Sequence, residues 1–273
     1  MKPFFKWAGG KRSLLPHLVP AIGEMRDSQR YFEPFVGGGA VFFELRRLGF
    51  IGKAFLTDIN PHLIAAYLAV RDDPARLIRA LTGYAVMYKE RGAEFYYAAR
   101  AEQIDPIAQA PRAASRFLFL NRTCFNGLWR VNKKDEFNVP HGKWKTPPTI
   151  CDETAIMSAH AALQNTFIGC CSYAAHEPRA GDVWYADPPY WPVSTTADFT
   201  AYSCDGFGPR DQEKLCDVAR RLKGAGVRVV LSNADMLQVR ELYGGFNIQR
   251  VEARRNINSK GGKRGAVGEV LIT

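Results

Sequence analysis

The chain has 273 residues, 47% apolar and 12% aromatic, enough for one substantial α/β core with an inserted subdomain. Its net charge of +10 calls for a polyanionic partner, although charge alone does not separate DNA from RNA or an anionic membrane surface. The sequence has no long apolar run and no charged-then-apolar leader, so the expectation is a soluble, unexported, cytoplasmic protein outside the membrane classes.

In chain order, Tyr31 to Phe35 reads as a short strand, Val36-Gly37-Gly38-Gly39 as a loop, and Ala40 to about Leu48 as a helix. Ala54 to Thr57 is a second strand ending at Asp58, which completes a β-loop-α-β unit. From Pro61 to Arg122 apolar residues recur at helical spacing, and from Thr123 to Pro148 the pattern breaks into a polar, Asn- and Gly-rich loop region. Strand patterns return at Thr166–Gly169 and at Asp182–Ala186. Arg210 to Lys223 reads as a helix with Pro209 at its start and Gly224 at its end. Val227 to Leu231 is another buried strand, and Asn247–Glu252 and Gly268–Ile272 are closing strands. The simplest architecture is one α/β sheet domain, residues 1–60 and 149–273, interrupted by a mostly helical insertion at 61–148.

The cysteines, Cys124, Cys151, Cys170, Cys171, Cys204 and Cys216, form no CxxC pair and read as reduced, mostly core residues. His17, His62, His141, His160 and His176 have no ligand spacing, and nothing in the sequence suggests a metal.

Asp187-Pro188-Pro189-Tyr190 is the most informative stretch. Two prolines stop the preceding strand, and ligands in open α/β sheets sit beyond the carboxyl ends of strands. A carboxylate, a carbonyl and an aromatic face in one place suit a planar ring with an exocyclic amino group. The amino group donates to Asp187 and the Pro188 carbonyl while Tyr190 stacks on the ring; the bland alternative is a plain Pro-Pro turn. Gly37 to Gly39 allow a tight turn and close approach of a ligand, but they are not GxGxxG. Asp58, 19 residues beyond Gly39, is placed either to accept from ribose hydroxyls or to cap the next helix, and position alone leaves both open. No phosphate-binding Lys-Ser/Thr pair follows the glycines, which favours a nucleoside-type cofactor such as S-adenosylmethionine.

This order of glycine loop, acid and DPPY resembles that of amino-group methyltransferases using S-adenosylmethionine. Phe5-Lys6-Trp7-Ala8-Gly9-Gly10-Lys11 resembles the N-terminal motif of the DNA adenine methylase family, D12-class N6-adenine methyltransferases. Asn121 to Arg130, Glu136 to Pro140, Asp198 to Tyr202, Leu231-Ser232-Asn233 and Arg254 to Ser259 continue the likeness from end to end. The resemblance implies a Rossmann-like methyltransferase sheet with an inserted target-recognition domain, acting on double-stranded DNA as a monomer or weak dimer. It implies that Trp7, Lys11 and Asp58 contact the cofactor, that Phe35 and the loop from Gly37 to Gly39 wall its methionine part, and that Asp187, Pro188 and Tyr190 form the catalytic adenine pocket. It also places Phe199 and Tyr202 near the cofactor adenine and the target base.

Residues 112–145 hold eight lysines and arginines against two acids: Arg112, Arg116, Arg122, Arg130, Lys133, Lys134, Lys143 and Lys145, against Asp135 and Glu136. Phe125, Trp129, Phe137 and Trp144 interleave with them, which fits either a surface that meets phosphates and stacks on or wedges between bases, or a solvated loop with a few buried anchors, and taken alone most of these charges fit the second. The resemblance implies that Phe125 intercalates, Asn126 meets the orphaned thymine, Arg130 reads guanine, Leu128 and Pro140 contact base edges, and Lys6 reaches the outer guanine of GATC. Many family members carry tyrosine at the position of Phe125, and Trp129 and Trp144 are bulkier than usual, which bears on the outer bases. A second basic stretch, Arg254, Arg255, Lys260, Lys263 and Arg264, reads as a phosphate-binding loop or a solvated hairpin tip. Competing readings are methylation of RNA adenine or of a protein glutamine, and a DNA-binding module without catalysis.

Overall fold

The computed structural model describes residues 3–191, 206–253 and 267–273. Phe199, Tyr202, Cys204 and the basic stretch Arg254, Arg255, Lys260, Lys263 and Arg264 lie outside the described residues. Seven strands form one sheet in the order β3-β2-β1-β4-β5-β7-β6. They are β1 (Arg30–Glu33), β2 (Lys53–Asp58), β3 (Thr166–Cys170), β4 (Val183–Ala186), β5 (Arg228–Ala234), β6 (Ile248–Ala253) and β7 (Val267–Ile272). The first five are parallel, and β7 runs antiparallel between β5 and β6. The chain winds outward from β1 through β2 to β3, then returns to lay β4 on the other side of β1. The switch point between β1 and β4 is where such sheets open a crevice for ligands.

Side chains alternate across the strands, so each strand feeds two cores. Tyr31, Ala54, Leu56, Val183, Tyr185 and Val230 face one cluster; Phe32, Trp184, Ala186, Val229 and Leu231 face the other. On the first face lie α1 (Leu15–Ile22), α2 (Ala40–Leu48), α3 (Pro61–Asp72) and α6 (Glu153–Ala162); on the second lie α7 (Pro209–Gly224) and α8 (Leu237–Leu242). The first cluster runs on through α4 (Pro74–Ala101) and α5 (Ala110–Thr123) to Trp129 and Phe137. Asn60 caps α3 by accepting from the His62 and Leu63 amides at 3.1 and 3.2 Å. Asp58 is therefore not the helix cap.

The α/β class agrees with the sequence reading, and each of the seven strands read along the chain is found. Three helices, α1, α6 and α8, lack a clear sequence signal. Helix α1 carries Pro16 at its start and Pro20 inside, α6 buries mainly small residues, and α8 has six residues. The cysteines are less uniformly buried than expected: Cys124 and Cys216 are buried, whereas Cys170, at the carboxyl end of β3, is exposed. No helix of the described residues is long and apolar enough to cross a membrane.

Candidate active site

The carboxyl ends of β1, β2 and β4 converge on one crevice. Strand β4 is buried along its whole length and stops at Ala186, so Asp187 is the first side chain beyond the sheet. Its Oδ2 lies 2.9 Å from the Lys11 ammonium, and its Oδ1 accepts from the Ser232 hydroxyl at 2.9 Å. Ser232, near the end of neighbouring β5, is itself 3.3 Å from the Tyr185 hydroxyl. Burial pushes the Asp187 carboxyl above the ordinary carboxylate range, and the Lys11 ammonium and Ser232 hydroxyl draw it back. Lys11 also donates to the Gly9 carbonyl at 2.7 Å, and its ammonium sits 4.7 Å from the centre of the Tyr190 ring.

The tetrapeptide is fixed at further points. Gln212 of α7 donates to the Pro189 carbonyl at 2.8 Å and accepts from Asn233 at 3.1 Å. The Tyr190 hydroxyl donates to Glu269 of β7 at 2.5 Å. Ser232 and Asn233 stood in the sequence only as part of a likeness; Gln212 and Glu269 carried no sequence-level role at all.

The glycine loop closes the other wall. Gly37 and Gly39 take the left-handed backbone, at φ 44° and 65°, and a Cβ on Gly39 would lie 2.6 Å from the Tyr67 hydroxyl. Tyr67 in turn donates to the Gly37 carbonyl at 2.9 Å, and the Trp7 ring lies against Gly37 and Gly38. Asp58 accepts from the Gly37 amide at 3.2 Å and the Asn60 amide at 3.0 Å. Burial raises its carboxyl to about 6, opposed by the amides of Asn60, Gly37 and Ile59. Phe35 stacks on Tyr173, ring centres 5.3 Å apart, and meets Phe207 edge-on at 5.9 Å. A backbone cradle, an acid, an apolar aromatic wall and a lysine suit a nucleoside joined to a charged amino-acid tail. Among the described residues no group of three metal-ligating side chains is assembled.

Glu33, at the end of β1, is fully enclosed and accepts from the Tyr31 hydroxyl at 2.8 Å. Burial raises its carboxyl to about 8, so it is neutral near pH 7. A carboxyl raised from 4.5 contributes stability that is fully present below pH 4.5 and is lost as pH climbs through about 8. Glu33→Gln, which cannot ionise, is expected to be more stable than wild type above that pH by on the order of a few kcal/mol. Urea unfolding from about pH 4 to about pH 9 measures this, and profiles that stay parallel between pH 4.5 and 8 would count against a buried neutral Glu33.

The loop after α5 is folded, not loose. Cys124 bridges His141 and Val131 bridges Phe137 in antiparallel fashion. The Phe125 amide donates to the Pro140 carbonyl at 2.9 Å, and the Trp144 indole to the Thr123 carbonyl at 3.0 Å. Asn121 ties this loop to the N-terminal segment: it exchanges bonds with the Lys6 backbone at 2.8 and 3.1 Å and donates to the Gly127 carbonyl at 3.0 Å. Gly127, at φ 65°, lies so close that a Cβ would meet the Lys6 side chain at 2.9 Å. The Lys6 ammonium stands 5.4 Å from the Trp144 ring centre. Lys6, Phe125, Asn126, Arg130 and Pro140 are thus exposed on one folded loop assembly, with Leu128 and Trp144 half-buried beside them. Arg130 donates through Nε to Asn138 at 2.7 Å.

Part of the expected basic and aromatic surface belongs to the interior. Arg116 is buried and caps the end of α4 through the Ala99 and Arg100 carbonyls, both at 2.7 Å. Arg122 is half-buried and donates to the Phe4 carbonyl, whereas Arg112 stays exposed on α5 and pairs with Glu102. The cations exposed on the loop are Arg130, Lys133, Lys134, Lys143 and Lys145. Trp129 and Phe137 are buried, with Trp129 packed 4.7 Å from both Phe117 and Phe137, so Phe125 and Trp144 are the aromatics of that set with exposed surface.

Comparison with known proteins agrees with this geometry. A model of the family described as D12 class N6 adenine-specific DNA methyltransferase matches residues 7–257. A type II methyltransferase of Lactococcus lactis subsp. cremoris, M1.LlaDCHI, is 41% identical over 100% of this chain and 95% of its own length. The type II methyltransferase M.MjaIII of Methanocaldococcus jannaschii is 39% identical over 100% of this chain and 98% of its own length. The DNA adenine methylase of Escherichia coli K12 is 38% identical over 99% and 94% of the two chains. With the DPPY carboxylate at the switch point, the glycine cradle beside it and full-length similarity throughout, this chain belongs to the D12 class of N6 adenine-specific DNA methyltransferases.

Proposed function

We propose that the chain methylates the N6 amino group of adenine in GATC, in double-stranded DNA, with the base rotated out of the helix and S-adenosylmethionine as the methyl donor. The observation that carries this reading is Asp187, held by Lys11 and Ser232 at the mouth of the β1/β4 crevice and followed by a Tyr190 pinned through its hydroxyl. Adenine N6 is a poor nucleophile because its lone pair is delocalised into the ring. Asp187 and the Pro188 carbonyl accept its two hydrogens, which favours a pyramidal nitrogen and stabilises the positive charge that grows on it. Tyr190 offers a face for the extruded ring and offsets part of the flipping cost of about a few kcal/mol. When bound, S-adenosylmethionine supplies an activated methyl group. Asp58, the Gly37–Gly39 loop, Trp7 and Phe35 are the residues suited to hold it, and in-line placement of the reactants supplies the proximity contribution.

Residues 61–148 serve as the target-recognition part of this reading. Phe125 is the wedge beside the flipped base, Asn126 meets its orphaned partner, and Lys6, Leu128, Pro140 and Trp144 line the duplex. Arg130 reads a guanine: Asn138 holds its Nε, and its two terminal nitrogens match the O6 and N7 acceptors. The E. coli relative is named DNA adenine methylase, which supports adenine in DNA as the target; GATC itself rests on the likeness of the loop from Phe125 to Pro140 to the family's readers.

The test is single-base substitution of GATC duplexes, assayed with wild type and Arg130→Ala. The expected result is a loss of about 1–3 kcal/mol of discrimination at one guanine position. Lys134→Ala, at an exposed phosphate-facing position, is expected to weaken all sequences alike. Unchanged discrimination in Arg130→Ala rules out its reading role, and methylation centred on another motif rules out GATC.

A further inference from the structure

Glu269 is an acid in an otherwise apolar strand, Val267-Gly268-Glu269-Val270-Leu271-Ile272, and it is 6% exposed. A carboxyl buried in a strand core is costly unless its oxygens are used. Here Oε2 accepts from the Tyr190 hydroxyl, so the far end of the DPPY tyrosine is anchored in β7 while the Lys11 ammonium stands over its ring face. Stacking on a base needs the ring and not the hydroxyl. The hydroxyl is therefore the handle by which the sheet sets the plane of the ring.

We infer that Glu269 is a positioning residue for the target base: it acts through the Tyr190 hydroxyl to hold the ring face parallel to the incoming adenine. The inference rests on the proposed adenine chemistry of this site. Two strands divide the work. Ser232 of β5 aims the carboxylate that receives the amino hydrogens, and Glu269 of β7 aims the ring that receives the base. The two strands pair directly, with Ala234 opposite Glu269, so carboxylate and ring are held in register by the sheet itself.

The test is a double-mutant cycle on the full chain, with Glu269→Ala, Tyr190→Phe and the double variant, and Glu269→Gln as the conservative variant. The readouts are the single-turnover methylation rate on a GATC duplex, the fluorescence of 2-aminopurine at the target position, and the thermal midpoint. Glu269→Ala is expected to slow transfer by about 10- to 100-fold, as small misplacements at a reacting centre do. The half-saturating cofactor concentration should stay put, and the fluorescence of the flipped base should change. Tyr190→Phe should reproduce that loss, the double variant should be no worse than either single, and Glu269→Gln, which still offers an acceptor, should stay within about threefold of wild type. Additive effects in the cycle would overturn the inference. So would a Tyr190→Phe protein with wild-type rate, an outcome readable even where Glu269→Ala fails to fold. Failure of the wild type itself to methylate the duplex would instead overturn the underlying adenine reading.

Discussion

Asp187→Ala is expected to lose methyl transfer almost completely, by at least about 10²–10³-fold in single-turnover rate, while duplex affinity stays near wild type. The reason is where the carboxylate acts. In the proposed reaction its interaction with the amino hydrogens strengthens as positive charge builds on the nitrogen, so its removal should be felt in the transition state more than in the bound complex. The exposed loop from Phe125 to Pro140, which carries the proposed duplex contacts, is built on α5 and is not held by Asp187. The alanine variant also strands the Lys11 ammonium, whose side chain is 9% exposed, so some loss of stability will accompany it. Asp187→Asn separates the two effects, because it keeps the shape and one acceptor without the charge. Near-wild-type turnover in either folded variant would remove Asp187 from the reaction.

Trp129→Ala and Phe125→Ala are expected to fail in opposite ways, although only three residues lie between them in one motif. Trp129 is 5% exposed and packs against Phe117, Phe137 and the His62 ring, so truncating it opens a cavity worth about 3–5 kcal/mol of stability. Phe125 is 43% exposed and has little packing to lose, so its alanine variant should unfold within about 0.5 kcal/mol of wild type. Its loss should appear instead as a weaker 2-aminopurine signal at the target base and slower transfer. Chemical denaturation and that fluorescence, measured on both variants, separate anchor from wedge. A destabilised Phe125→Ala or an unaffected Trp129→Ala would contradict this division of the loop.

The crevice at the carboxyl ends of the strands was largely legible in the sequence because its markers are local. Prolines that stop β4, glycines that turn after β1 and an acid at the end of β2 each leave a one-dimensional trace. The partners that hold them leave none of that kind. Ser232, Gln212 and Glu269 reach the tetrapeptide from β5, α7 and β7 across 23 to 79 residues of chain. One signal for Glu269 was nevertheless present, an acid inside an apolar strand. Which members of the basic segment are buried anchors was hidden for a related reason. Counting charges over 112–145 merges a helix with a loop, whereas α5 is buried around most of its circumference, polar residues included. On that helix Arg116 lies one turn from Ala113 and from Leu120, a spacing that is the one available signal of its burial.

The central claim is tested most directly by expressing the full chain in a host without adenine methylases and sequencing its DNA by a method that reports N6-methyladenine. The expected result is methylation at the adenine of GATC in wild-type cells and none in cells expressing Asp187→Ala. Unmodified DNA in the presence of folded wild-type protein, or modification at another sequence, would contradict the account.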